Sequence, residues 1–147
     1  MNRSTFIKQG CISCLGISLG MSLFNSCKSI HYVNGKMSEN NLSIPITEFS
    51  EPNKKGNDTY RKYILVKHES LQYPICVYRI SGNDYKALWL RCSHQGAELQ
   101  VSGDTLVCLA HGSEFDNSGK VTNGPADKDL RTFITYLKNE HLNIVLK

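Results

Sequence analysis

Two short ligand motifs, Cys92-x-His94 and Cys108-x-x-His111, stand thirteen residues apart near the middle of a chain of 147 residues. Each sets a soft thiolate beside a borderline imidazole, a donor pair suited to transition metals and not to calcium or magnesium. If the four side chains serve one centre, the chain between them must double back so that two loops meet. Ser102-Gly103-Asp104, between the motifs, has the composition of the turn this requires.

Two chemistries accept such a donor set. Zinc takes two cysteines and two histidines in a closed tetrahedron, with spacings that usually pair like with like, C-x2–4-C then H-x3–5-H. Here unlike ligands are paired twice. That pattern suits a two-iron rhomb, because a single loop can then reach both metals. Gly96 and Gly112 follow the histidines, where the missing side chain lets the backbone turn tightly and bring N–H groups towards bound sulfide.

The scaffold reads as all-β. Leu42, Ile44 and Ile46 alternate with polar or small residues, and the runs 60–68, 73–80 and 84–91 are rich in β-branched and aromatic side chains. Pro52-Asn53, Ser81-Gly82-Asn83 and Asn117-Ser118-Gly119 mark turns. The C-terminal RTFITYLKNEHLNIVLK reads as a hairpin closing around Asn139-Glu140. No segment keeps a helical period for three turns, and the short connections imply antiparallel pairing. Strand 84–91 delivers Cys92 and the short run 105–107 delivers Cys108, so the ligands fall on loops held by strands. Trp89, between Leu88 and Leu90, reads as a core or interface residue. Cys76, in YPICVYRI, reads as a buried thiol, whereas His31, His68 and His141 lie away from the motifs.

In full, the two motifs read CSHQGAEL and CLAHGSEFD, and the sequence resembles the Rieske family of [2Fe–2S] proteins over most of residues 60–147, most specifically over 92–126. The resemblance implies one [2Fe–2S] cluster per chain, with Cys92 and Cys108 on the inner iron and His94 and His111 on the outer one. It implies an antiparallel sandwich or barrel base carrying a small cluster-binding subdomain, here about 91–126. Asn123-Gly124-Pro125-Ala126 resembles the loop that covers the cluster from the side, Pro125 stiffening its backbone. Ser113 matches a serine that donates to a cluster sulfide, while Phe115 replaces a tyrosine that donates to a ligand thiolate. One donor kept and one lost implies a reduction potential within about −150 to +300 mV but away from the upper end. Quinol-oxidising members carry two bridging cysteines where Ala97 and Ala110 stand here. Rieske oxygenases use a further domain with a mononuclear iron, for which the 36 residues after His111 leave no room.

The N-terminus speaks to compartment. Arg3 and Lys8 precede an apolar and small-residue run from Gly10 to Phe24, with no acidic residue before Glu39, the layout of an export signal. RSTFIK resembles a twin-arginine signal with Ser4 in place of the second arginine, and a route for folded cargo suits a cluster assembled before export. Phe24-Asn25-Ser26-Cys27 resembles a relaxed lipobox, which makes Cys27 the lipidation site; acyl chains would then anchor the protein, each buried methylene contributing about 0.8 kcal/mol. The alternative is an uncleaved anchor, although fifteen residues fall short of the roughly 20 that span a bilayer. Cys11 and Cys14 form a CxxC inside this apolar run and read as small apolar residues.

The expected organisation is an export signal over 1–27, a polar tether over 28–40 and the Rieske domain over 41–147. Removing 1–27 lowers the formal charge of +4 by two, too little to argue for nucleic acid. The expected function is one-electron transfer between redox partner proteins on the periplasmic side of a bacterial membrane. The alternative is the iron–sulfur subunit of a respiratory oxidoreductase acting on quinol or an inorganic donor. A third possibility, a cluster-free binding domain on the same scaffold, does not use the four ligands.

Overall fold

Three stretches of alternating or continuous apolar residues, in the middle of the chain, build the wall on which everything else is mounted. The computed structural model describes residues 29–51 and 59–147. In chain order its strands are β1 (Tyr32–Asn34), β2 (Lys36–Ser38), β3 (Asn41–Pro45), β4 (Ser50–Glu51), β5 (Thr59–Tyr60), β6 (Tyr63–Lys67) and β7 (Ile75–Arg79). They continue with β8 (Tyr85–Trp89), β9 (Gln100–Ser102), β10 (Thr105–Val107), β11 (Glu114–Asp116), β12 (Val121–Asn123), β13 (Thr132–Lys138) and β14 (His141–Val145). A large sheet has the order β1-β6-β7-β8-β13-β14-β3-β2, a second has β12-β11-β10-β9, and β4 and β5 form a two-stranded ribbon.

Strands β6, β7 and β8 are buried on both faces, and their period-2 alternation sorts the two cores. Ile64, Val66, Ile75, Val77 and Ala87 point into one cluster with Leu42, Ile44, Phe49, Leu142 and Ile144, inside the curled large sheet. Leu65, Cys76, Tyr78 and Leu88 point the other way, into a cluster with Leu99, Leu106, Phe115 and Leu130 from the smaller module. The smaller sheet, β9 to β12, lies in sequence between β8 and β13, which pair with one another. Cys76 is fully buried in the second cluster, and burial pushes its thiol pKa up, so it stays protonated and inert.

The hairpin expected at the C-terminus is β13–β14, with Asn139 and Glu140 at φ 50° and 58°. Two expectations need correction. Residues 28–40 do not read as a tether where the structure describes them: β1 pairs parallel with β6, β2 pairs with β3, and Val33 is buried in the main core. Such short strands carry too few residues to show a period, so their pairing is decided by the sheet edge they meet. The alternation through Ile46 also stops early. Pro45 ends β3, and Ile46–Phe49 forms a 3-10 turn that drops Phe49 into the core. The Pro52-Asn53 turn, the CxxC and Cys27 lie outside the described residues.

Candidate metal centre

The first motif hangs from the end of β8 and the second from the end of β10, and the two loops share one hydrogen-bond scheme. The Gly96 N–H donates to the Cys92 carbonyl at 2.9 Å and the Cys92 N–H to the Ala97 carbonyl at 2.8 Å. In the second loop the Gly112 N–H donates to Cys108 at 2.8 Å and the Cys108 N–H to Ser113 at 2.8 Å. Each glycine stands four residues after its cysteine and adopts a positive φ, 77° and 80°. That conformation is open to glycine at no steric cost and closes the loop back on the cysteine. The unequal histidine spacings therefore conceal two equivalent loops.

These loops bring the two thiols into one buried cluster and the two imidazoles against each other. Cys92 and Cys108 are buried in the second apolar cluster as free thiols. The His94 and His111 rings meet edge to face with centroids 5.0 Å apart; His94 is half-buried and His111 exposed. The thiols thus lie on the inner side and the imidazoles on the rim. His94 Nδ1 is buried and has no hydrogen-bond partner, a costly state for a ring nitrogen that metal coordination would resolve. Two thiols inside and two imidazoles outside fit a two-iron centre.

A third segment braces both loops. The Ala126 N–H donates to Ser113 Oγ at 3.0 Å, Asn123 Nδ2 donates to the Gly112 carbonyl at 3.3 Å, and the Ser93 hydroxyl donates to the Lys128 carbonyl. Ser113 is fully buried, and because its oxygen accepts from Ala126 its own O–H remains available as a donor. Phe115, also fully buried, packs in the cluster that holds both cysteines. Pro125 is exposed, in a cis peptide with Gly124. Sequence reasoning missed Ser93, and it placed Asn123 in the covering loop without the brace it makes, because their partners lie 35 and 11 positions away.

The module is also fixed to the large sheet and to the loop before β6. Tyr78 OH donates to the Gly103 carbonyl at 3.0 Å, and Asp104 takes hydrogen bonds from Lys62 and Asn117. The Lys62 contact, aided by Asn117, lowers the Asp104 pKa. Burial of Asp116 would raise its pKa, but the Ser118 hydroxyl with the backbone N–H groups of Lys120 and Ser118 outweighs that and holds it low, fixing the β11–β12 turn.

Known proteins resemble this chain in sequence and in fold. A 41-residue stretch is 42% identical to the cytochrome b6-f complex iron-sulfur subunit of Cyanothece sp. strain PCC 7425, covering 26% of this chain and 23% of that protein. This chain therefore spans about a quarter of the length of that relative. Among solved structures, the plasma membrane Rieske protein PetC3 from Synechocystis PCC 6803 is 28% identical at TM-score 0.47, covering 56% of this chain and 85% of that one. A chain in the complex of reduced oxygenase and oxidized ferredoxin of carbazole 1,9a-dioxygenase shares the fold at TM-score 0.52 and 20% identity, covering 75% of this chain and 96% of that one. The Rieske [2Fe-2S] domain family matches residues 55–134, more than half of the sequence, and the chain belongs to that family.

Proposed function

We propose that this protein is an exported, membrane-tethered one-electron carrier in which Cys92 and Cys108 hold the inner iron and His94 and His111 the outer iron of its Rieske cluster. The observation that carries the ligand assignment is the pair of equivalent loops, each closing on its cysteine through a positive-φ glycine and each presenting one histidine to the rim. When bound, the [2Fe–2S] cluster takes up and releases one electron.

The chain's own residues do the rest. Cys92 and Cys108 supply thiolates from a buried apolar cluster that excludes water, and the exposed His111 edge offers a short path to a partner. Gly96 and Gly112 hold the loops shut, and Ser113, oriented by Ala126, is placed to donate its proton to a sulfur. Phe115 fills the same cluster without offering a donor. Pro125 stiffens the bracing segment. Export and the lipid anchor rest on residues 1–27, with Cys27 as the acylated residue. Among the described residues no helix is long and apolar enough to cross a membrane.

The stretch resembling a cytochrome b6-f iron-sulfur subunit supports a second reading, the iron–sulfur subunit of a multi-subunit oxidoreductase. Alanine at 97 and 110 favours the free carrier.

Purified mature protein should hold two irons and two labile sulfides per chain and, when reduced, give the low-average-g EPR signal of mixed His/Cys ligation. His94→Ala or His111→Ala should abolish that signal, and stoichiometric zinc without sulfide would overturn the assignment. A monomer with reversible one-electron voltammetry supports the carrier; co-purification with stoichiometric haem or molybdenum subunits supports the complex. Cys27→Ala should block fatty-acid labelling, and label persisting in the variant would count against the anchor.

A further inference from the structure

A groove of about 550 Å3 runs beside the first ligand loop, with Cys92–Gly96 as one wall and Lys128, Asp129 and Arg131 as the other. Trp89 and Arg91 complete it. Arg91, Lys128 and Arg131 are all exposed, and among the described residues none of the three makes a salt bridge. The one carboxylate lining the groove, Asp129, has Oδ1 occupied by the Val121 N–H at 3.0 Å. Two of the cations are held in place. The Arg91 and Arg131 guanidinium carbons sit 5.2 and 5.8 Å from the Trp89 ring, and Arg131 also donates to the Leu146 carbonyl at 2.7 Å. Arg91 further lies against the ligand loop, its Nε and Nη2 3.1 Å from where a Gly96 Cβ would stand.

Three unpaired cations in one groove contrast with a formal charge of only +4 over the whole chain. Asp129 offsets one of the three cations and leaves the groove net positive, and a cleft with one prevailing sign focuses the field and raises the encounter rate for the opposite sign. His94 lies on the groove wall, next to His111. A partner seated here would therefore lie against the loop through which an electron leaves. We propose that this groove docks an acidic redox protein, whose surface carboxylates pair with Arg91, Lys128 and Arg131 and seat it beside His94. The proposal rests on the electron-carrier reading.

The test follows oxidation of the reduced mature protein by stopped flow, with one electron passing to each hexacyanoferrate(III) ion to give hexacyanoferrate(II). A neutral cobalt(III) chelate serves as the control for changes in driving force. Lys128→Glu and Arg91→Gln should each slow hexacyanoferrate at least fivefold at low ionic strength and leave the neutral oxidant within twofold. A glutamate decamer should compete with hexacyanoferrate in the wild type and not in Lys128→Glu, whereas a lysine decamer, or inorganic phosphate at matched ionic strength, should not compete. Equal competition by phosphate would overturn the proposal in favour of a small-anion site. No competition by the glutamate decamer, or variant rates equal to wild type, would also overturn it. An intact visible spectrum and reversible voltammetry in every variant separate failure of the docking proposal from failure of the carrier reading.

Discussion

Replacing Ser113 with alanine removes a fully buried hydroxyl of the described core and separates two of its duties. Its oxygen accepts the Ala126 N–H at 3.0 Å, and Ala126 is itself buried, so alanine at 113 leaves a backbone donor without an acceptor. An orphaned buried donor costs about 1–3 kcal/mol. In a domain of this size that lowers Tm by roughly 3–18 °C, since each kcal/mol shifts it by about 3–6 °C. The second duty is electronic. With its oxygen engaged by Ala126, the Ser113 hydroxyl can donate to a cluster sulfur, a bond stronger in the reduced state, where sulfur carries more charge. If the two redox states differ by about 1 kcal/mol in this bond, the variant's potential falls by roughly 40 mV for one electron. Thermal unfolding followed by circular dichroism reads the first effect and voltammetry at one pH the second. A fall in Tm with an unchanged potential would show that the hydroxyl points away from the cluster. An unchanged Tm would refute the Ala126 bond.

Phe115→Tyr should raise the potential, because residue 115 lies in the apolar cluster that holds both cysteines and a hydroxyl reaching the sulfur of Cys92 would donate to it; voltammetry with the cluster intact checks it, and an unchanged or lowered potential would refute it. Gly112→Ala should cost about 1–2 kcal/mol for an alanine at φ 80°, with open space around its Cβ. Gly119→Ala should cost more in the same urea titration, because at φ 89° its Cβ also meets the buried Leu88 at 3.0 Å. Asp104→Asn should cost at most about 1 kcal/mol at neutral pH, since the Lys62 contact is half exposed. The folded-state pKa of Asp104 is lowered, so its contribution is complete above the unfolded carboxylate value and disappears as pH falls through the folded one. Urea midpoints of the two proteins should therefore converge at strongly acid pH, and a gap that widens there would refute this.

The local chemistry of the centre was legible residue by residue. Soft and borderline donors paired twice point to two irons, and Gly96 and Gly112 announce loops that close on themselves, because both properties reside in the side chain, or its absence, at one position. The strands that fill both cores were legible for a similar reason. Val77 and Ala87 against Cys76 and Leu88 alternate over enough residues for the period to stand out. Pairing over short segments was not, since Tyr32–Asn34 gains its place only by meeting the free edge of Tyr63–Lys67, and nothing in three residues specifies a parallel neighbour. The brace from Asn123, Ala126 and Lys128 to the two loops, and the gathering of Arg91, Lys128 and Arg131 around Trp89, join residues far apart in the chain. Sequence determined which groups could ligate, turn or bury. Tertiary structure decided which of them face one another, because that depends on long-range sheet pairing whose closing contacts no local segment encodes.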